Sequence, residues 1–233
     1  MVEKRITEGL YQKIVLHNGI RIVTEKIPYL RSVSIGIWIN SGSRDEEDKN
    51  SGISHFLEHL AFKGTEKRSA RQIAFEMDSI GGQIDAFTSR EYTCYSAKVL
   101  DEHLPVAIEL LSDILLNSTL KPADIDKERQ VILEEIKFVE DNPADYIYDL
   151  LYQSVWSSHP LGRSILGNPE SIERIERSKL INHLDNHYIP KNIIIAVAGN
   201  IDEGRLKELL ENAFGGLNKN ASSRREAPPE IKR

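Results

Sequence analysis

Gly52 to Thr65 reads GISHFLEHLAFKGT, and the period of this stretch sets how the rest of the chain is organised. Ile53, Phe56, Leu57 and Leu60 recur on one helical face and Gly64-Thr65 breaks the pattern, which predicts a helix near 51 to 62. Inside it stands His55-Phe56-Leu57-Glu58-His59. A helix turns about 100° per residue, so His55 and His59 lie about 40° apart, one turn above the other, and both imidazoles can reach one ion. Glu58 is displaced by about 60° from His55 and can face the same cavity without binding the ion. The arrangement is HExxH with the glutamate moved beside the second histidine. A hydrolytic zinc needs three protein ligands and an open position for water, and the water needs a carboxylate to take its proton. Paired histidines at this spacing also serve as surface or packing residues, so the third ligand decides the matter.

That ligand is sought on a second predicted helix, 123 to 140, begun by Pro122 and carrying Glu128, Glu134, Glu135 and Glu140. Val131, Ile132 and Ile136 are expected to form its buried stripe. Glu128 and Glu135 stand seven apart and share a face, whereas Glu134 points about 100° away from Glu135 and is expected in solvent, as is Glu140.

Outward from these helices the chain alternates strands and helices. His17-Asn18-Gly19 lies between extended segments 14 to 16 and 20 to 24 and signals a hairpin. Alternation of Val33, Ile35, Ile37 and Ile39 against polar or small residues predicts a strand over 32 to 40 with one buried face. A helix over 70 to 80 stops at Gly81-Gly82, and strands 83 to 88 and 92 to 99 turn at Ser89-Arg90-Glu91. Helices follow at 102 to 116, 144 to 156, 170 to 175, 177 to 187 and 203 to 214. Between the last two, the apolar run Ile193 to Ala198 predicts a strand buried on both faces. From Asn218 the sequence turns polar with Pro228-Pro229, so residues 1–217 are expected to form one domain and 218–233 a linker, leading to further chain past Arg233 or to a partner.

Composition narrows the function classes. With 40% apolar and 28% charged residues the chain is globular material, and a formal charge of -6 argues against a nucleic-acid surface. Cys94 is the single cysteine, which excludes an intrachain disulfide and any zinc site built on two cysteines, and fits a reducing, cytoplasmic setting. Met1 to Leu10 has no apolar stretch of the secretory kind, and no apolar run approaches the roughly 20 residues of a membrane helix, so no membrane association is expected. His183 and His187 also stand four apart, with Asp185 between them and no third partner in view. His159 and Arg163 fall in a loop shaped by Pro160 and Gly162, and Cys94 is expected as a small buried group.

Four stretches together resemble the pitrilysin-like (M16) zinc metallopeptidases, especially the branch of the mitochondrial processing peptidase and its bacterial relatives. They are Gly52 to Thr65, Gly81 to Val99 (GGQIDAFTSREYTCYSAKV), Glu128 to Glu135 (ERQVILEE) and His159 to Gly167 (HPLGRSILG). The resemblance implies an α+β fold, a mixed, largely antiparallel sheet with helices packed on one face. It implies one zinc ion per chain held by His55, His59 and Glu135, with Glu58 as catalytic base and Glu128 as a carboxylate supporting the site. It further implies a peptide substrate bound as an added strand along Asp85, Ala86 and Phe87. Asn usually stands where this chain has Asp85; the extra charge either favours basic substrate residues or is a tolerated isostere. Relatives repeat the domain, so a second homologous domain or subunit is the expected partner. The competing readings are a non-catalytic scaffold subunit of such an assembly and a zinc hydrolase acting on a small molecule.

Overall fold

Gly19, at φ +101°, closes the turn between β1 (Tyr11–Val15) and β2 (Arg21–Lys26), which pair antiparallel with Val15 opposite Arg21. A left-handed residue is what a three-residue hairpin loop requires, and glycine adopts it without steric cost. The computed structural model describes residues 11–217, so Met1 to Leu10 and the polar stretch 218–233 lie outside the described residues.

The chain continues through β3 (Ser32–Ile39), α1 (Ile53–Ala61), α2 (Ala70–Ser79), β4 (Gln83–Thr88), β5 (Thr93–Leu100) and α3 (Leu104–Leu116). Then come α4 (Pro122–Asp141), α5 (Pro143–Val155), α6 (Pro169–Arg174), α7 (Arg177–His187), β6 (Ile193–Gly199) and α8 (Glu203–Phe214). The six strands form one sheet in the order β1-β2-β6-β3-β5-β4, in which β2 and β6 run parallel and the other neighbours antiparallel. The expected mixed, largely antiparallel sheet is therefore present.

Helices cover one face. Ile22, Val33, Ile35, Ile37, Ile195 and Val197 point from that face into a core with Ile73 and Met77 of α2, Ile108 and Leu111 of α3 and Leu210 and Phe214 of α8. A second core lies beyond α1, where Phe56, Leu57 and Leu60 meet Ile125, Ile132 and Ile136 of α4, Ile172 of α6 and Leu180 of α7. Helix α1 is thus held on two sides, which fixes the side chains it presents.

Strand β6 departs from expectation. Its residues alternate, with Ile193, Ile195 and Val197 buried and Ile194, Ala196 and Ala198 only half-buried. A continuous apolar run reads as burial on both faces, but here the helices occupy one face only. On the other, small residues leave a shallow trough across which Trp38 lies: a Cβ on Gly36 would come within 2.8 Å of its indole nitrogen.

Candidate metal centre

Helix α1 presents His55 and His59 one turn apart, their ring centroids 4.6 Å from each other. The facing helix, α4, buries Ile125, Glu128, Ile132 and Ile136, a row advancing in steps of three and four. Val131 was expected in that row and is instead 44% exposed, because it lies about 100° around the helix from Ile132, beyond the arc that Ile125, Glu128, Ile132 and Ile136 occupy. Glu135 sits at the margin of the row, half-buried, and aims back at α1. Its Oε2 lies 3.7 Å from His55 Nε2 and 3.5 Å from His59 Nε2. Among the described residues, His55, His59 and Glu135 are the one group whose ligand atoms all come within 4.8 Å of one another. Bonds of about 2.0–2.1 Å to a tetrahedral zinc would hold such atoms about 3.3 Å apart, so this trio fits the ion with little movement. The chemistry also fits: two imidazole nitrogens and one carboxylate oxygen leave a coordination position open. Glu134 is solvated and paired with Lys137 Nζ at 2.7 Å, and Glu140 is exposed.

Glu128 is buried beside this trio. His59 Nδ1 donates to its Oε2 at 3.2 Å and Lys63 Nζ approaches its Oε1 at 2.8 Å. Once Nε2 gives up its proton, Glu128 holds the remaining one at Nδ1 and the Nε2 lone pair of His59 is free to bind a cation. Hydrogen bonding to Glu135, with help from Glu128, raises the pKa of His59, and the same contact lowers that of Glu135. His55 behaves differently. Burial pushes it down to about 4, and its Nδ1 is buried without a hydrogen-bond partner. A neutral imidazole is the form that binds a metal.

Glu58 stands beside the trio, its Oε2 buried and without a hydrogen-bond partner. Burial raises its pKa, nearby Asp85 and Glu135 add to the rise, and Thr88 and His59 oppose it. A carboxylate with raised proton affinity next to an open coordination position is suited to proton transfer.

Asp85, Ala86 and Phe87 lie in β4, which is an edge strand of the sheet among the described residues and packs beside α1. The Asp85 carboxylate accepts from the Ala86 N–H at 2.9 Å, and Phe87 meets Trp38 and Tyr92 edge-on at 5.8 and 6.0 Å between centroids. His55, Glu58 and His59 therefore stand on α1, Glu128 and Glu135 on α4, and Asp85, Ala86 and Phe87 on β4.

Other candidates are built into the scaffold. His159 Nδ1 accepts from Leu161 N, and Arg163 bonds the Glu46 carbonyl and the Asp48 carboxylate. His183 and His187 stack at 4.3 Å in the interior, with His183 Nε2 3.4 Å from Ser54 Oγ. Cys94 is buried in β5, and burial lifts its thiol to about 12. Sequence reasoning missed Lys63, whose only signal is its place one turn after His59. It also missed Arg129, which bonds the carbonyls of Ile172 and Ile175 and lies 5.5 Å from the Phe56 ring, fastening α6 and α1 to α4. Glu46 was missed too; it lies outside any periodic segment.

Comparison with known proteins gives concordant results. The family model described as insulinase (Peptidase family M16) matches residues 21–169, and that described as the Peptidase M16 inactive domain matches residues 174–233. The uncharacterized zinc protease YmxG of Bacillus subtilis (strain 168) is 46% identical over 206 residues, covering 88% of this chain and 50% of that protein. The mitochondrial-processing peptidase subunit beta of Bos taurus is 43% identical over 200 residues, covering 86% of this chain and 41% of that protein. Among solved structures, a protease from Helicobacter pylori superposes with a TM-score of 0.87 at 26% identity, covering 94% of this chain and 53% of the other. The chain spans about half the length of the curated relatives it matches. On the strength of the family match and of the two helices that bring His55, His59 and Glu135 together, this chain belongs to the insulinase family of peptidases, family M16.

Proposed function

We propose that this chain is the catalytic half of a zinc-dependent endopeptidase, with one zinc ion held by His55, His59 and Glu135 and with Glu58 as general base. The observation that carries the reading is the convergence of the three ligand atoms within 4.8 Å beside the unpartnered Glu58 carboxylate oxygen. When bound, the zinc supplies Lewis-acid polarisation and lowers the pKa of water. Glu58 Oε2 takes the proton from the attacking water and returns it to the departing amine nitrogen, a task helped by the raised proton affinity that burial confers. Glu128 keeps His59 in the tautomer that presents Nε2. The edge strand β4 takes an extended peptide through main-chain hydrogen bonds at Ala86, flanked by the side chains of Asp85 and Phe87, and Asp85 swings from the Ala86 N–H as the peptide docks. The chain's half-length match to its relatives supports a second homologous domain or subunit that closes over this cleft. The single buried cysteine supports a reducing, cytoplasmic setting. The meeting of His55, His59 and Glu135 beside Glu58 favours this reading over a non-catalytic scaffold role.

The test is Glu58→Gln. The variant is expected to retain zinc and to lose peptide hydrolysis by roughly 10²- to 10⁴-fold, as removal of a general base does. Unchanged hydrolysis would reject Glu58 as the base, and loss of zinc would move Glu58 among the ligands.

A further inference from the structure

His59 is oriented by Glu128, but His55 has no comparable partner, since its Nδ1 is buried without a hydrogen bond. Its direction must come from the backbone. His55 is the third residue of α1, in the first turn, where helical N–H groups lack intrahelical acceptors and a short helix frays. The residue that would ordinarily cap this turn is Gly52, at φ +90°, where a Cβ would come within 2.5 Å of the Leu166 carbonyl oxygen; it has no side chain to offer.

The capping group comes from outside the helix. Glu46, 6% exposed, accepts from Gly52 N at 2.7 Å with Oε2 and from Ser54 N at 2.9 Å with Oε1. Its own carbonyl is held by the Arg163 guanidinium, which also pairs with Asp48. The Ser51 carbonyl accepts from Ser171 Oγ at 2.7 Å, so the strand of chain leading into α1 is tied on both sides. A carboxyl group so placed satisfies two first-turn donors that no other described group reaches. We propose that Glu46 is the positioning residue for His55, anchoring the first turn of α1 so that the imidazole faces Glu135, the part that Glu128 plays for His59. The inference rests on the metal-centre reading above.

Glu46→Gln tests it, because glutamine keeps the shape of the side chain but sets an N–H₂ against one of the two backbone N–H donors. Zinc affinity is measured by competition with a chelator, and the visible bands of the cobalt-substituted chain report the ligand field. Ile172→Val, a core truncation at the same end of α1, controls for lost stability, and His55→Ala gives the spectrum of a site without that ligand. Glu46→Gln is expected to bind zinc 10- to 100-fold more weakly, with cobalt bands displaced toward those of His55→Ala, while Ile172→Val keeps both wild-type values. Wild-type affinity and spectrum in folded Glu46→Gln would overturn the proposal, as would equal losses in Ile172→Val. If Glu46→Gln does not fold, Glu46→Asp, which keeps the carboxyl group but shortens its reach, is judged by the same two outcomes. A wild-type chain that takes up no zinc would overturn the metal centre itself and this inference with it.

Discussion

Removing the Glu128 carboxylate leaves two donors, His59 Nδ1 and Lys63 Nζ, without the acceptor that serves both in a nearly closed space. Glu128→Gln can accept from one of them only, and its amide can face the other with an N–H₂. The expected result is a 10- to 100-fold loss of zinc affinity with the three ligands still in place, measured by chelator competition. Affinity equal to wild type would show that the tautomer of His59 is set by something other than Glu128. At this scale the sequence was legible where residues share an element. The placement of His55, Glu58 and His59 on neighbouring faces of one helix follows from helical spacing, since five consecutive residues cannot be rearranged by packing. Of the four glutamates on α4, geometry expects Glu134 and Glu140 in solvent, and the family resemblance makes Glu135 the ligand and Glu128 its support; the structure puts Glu134 beside Lys137 and turns Glu135 toward α1. Glu46 was not legible, because it acts across a loop on a turn it does not belong to, and no periodicity records such a contact.

Among the elements, α5 is the exception to the rule that a helix hides one face. None of its residues is buried, and Ile147, Tyr148, Leu151 and Val155 are each more than half exposed. It is held at its ends and by Arg90, whose guanidinium pairs with Asp149 at 2.7 Å and lies 3.6 Å from the centroid of Tyr152. In this chain Ile147→Asp or Leu151→Asp should therefore change unfolding stability by no more than about 0.5 kcal/mol. Ile132→Ala, on the fully buried side of α4, should cost about 2–5 kcal/mol. Urea midpoints of the variants separate the two cases, and a multi-kcal/mol loss in either aspartate variant would mean that α5 packs more deeply than described. The existence and ends of α5 follow from Pro143 and its apolar period. What the period does not reveal is which surface receives the apolar face, and the same ambiguity placed Val131 in a buried row that Glu128 in fact completes.

At the scale of the whole molecule, the helix-on-one-face architecture followed from the family resemblance, whereas the strand order did not follow from local pattern. β6 inserts between β2 and β3 from far along the chain, a non-local pairing that no turn signal announces. The packing of α7 behind α1 is equally non-local, and it buries His183 against His187, with Ser54 Oγ 3.4 Å from His183 Nε2 and the Asp45 charge acting on His187. Burial pushes His183 down to about 3, and the His187 ring adds to the effect. An unfolded histidine titrates near 6.5, so below that pH the unfolded chain takes up a proton that the folded chain refuses. The sign is thus destabilising in acid, with stability lost as pH falls from about 6.5 toward about 3, and by linkage His183 alone removes about 2 kcal/mol between pH 7 and 5. Glu46 works the other way in the same window. Burial raises it to about 7, so the folded chain holds a proton there that the unfolded chain gives up, and acidification stabilises. The two groups oppose each other in the intact protein, so the raw pH profile isolates neither. The difference between proteins is the clean measurement: His183→Gln should be about 2 kcal/mol less sensitive than wild type to lowering the pH from 7 to 5, read from urea unfolding at the two values. Parallel losses in the two proteins would mean that His183 accepts a proton within the fold, and that α7 opens from α1 at a lower cost than its burial implies.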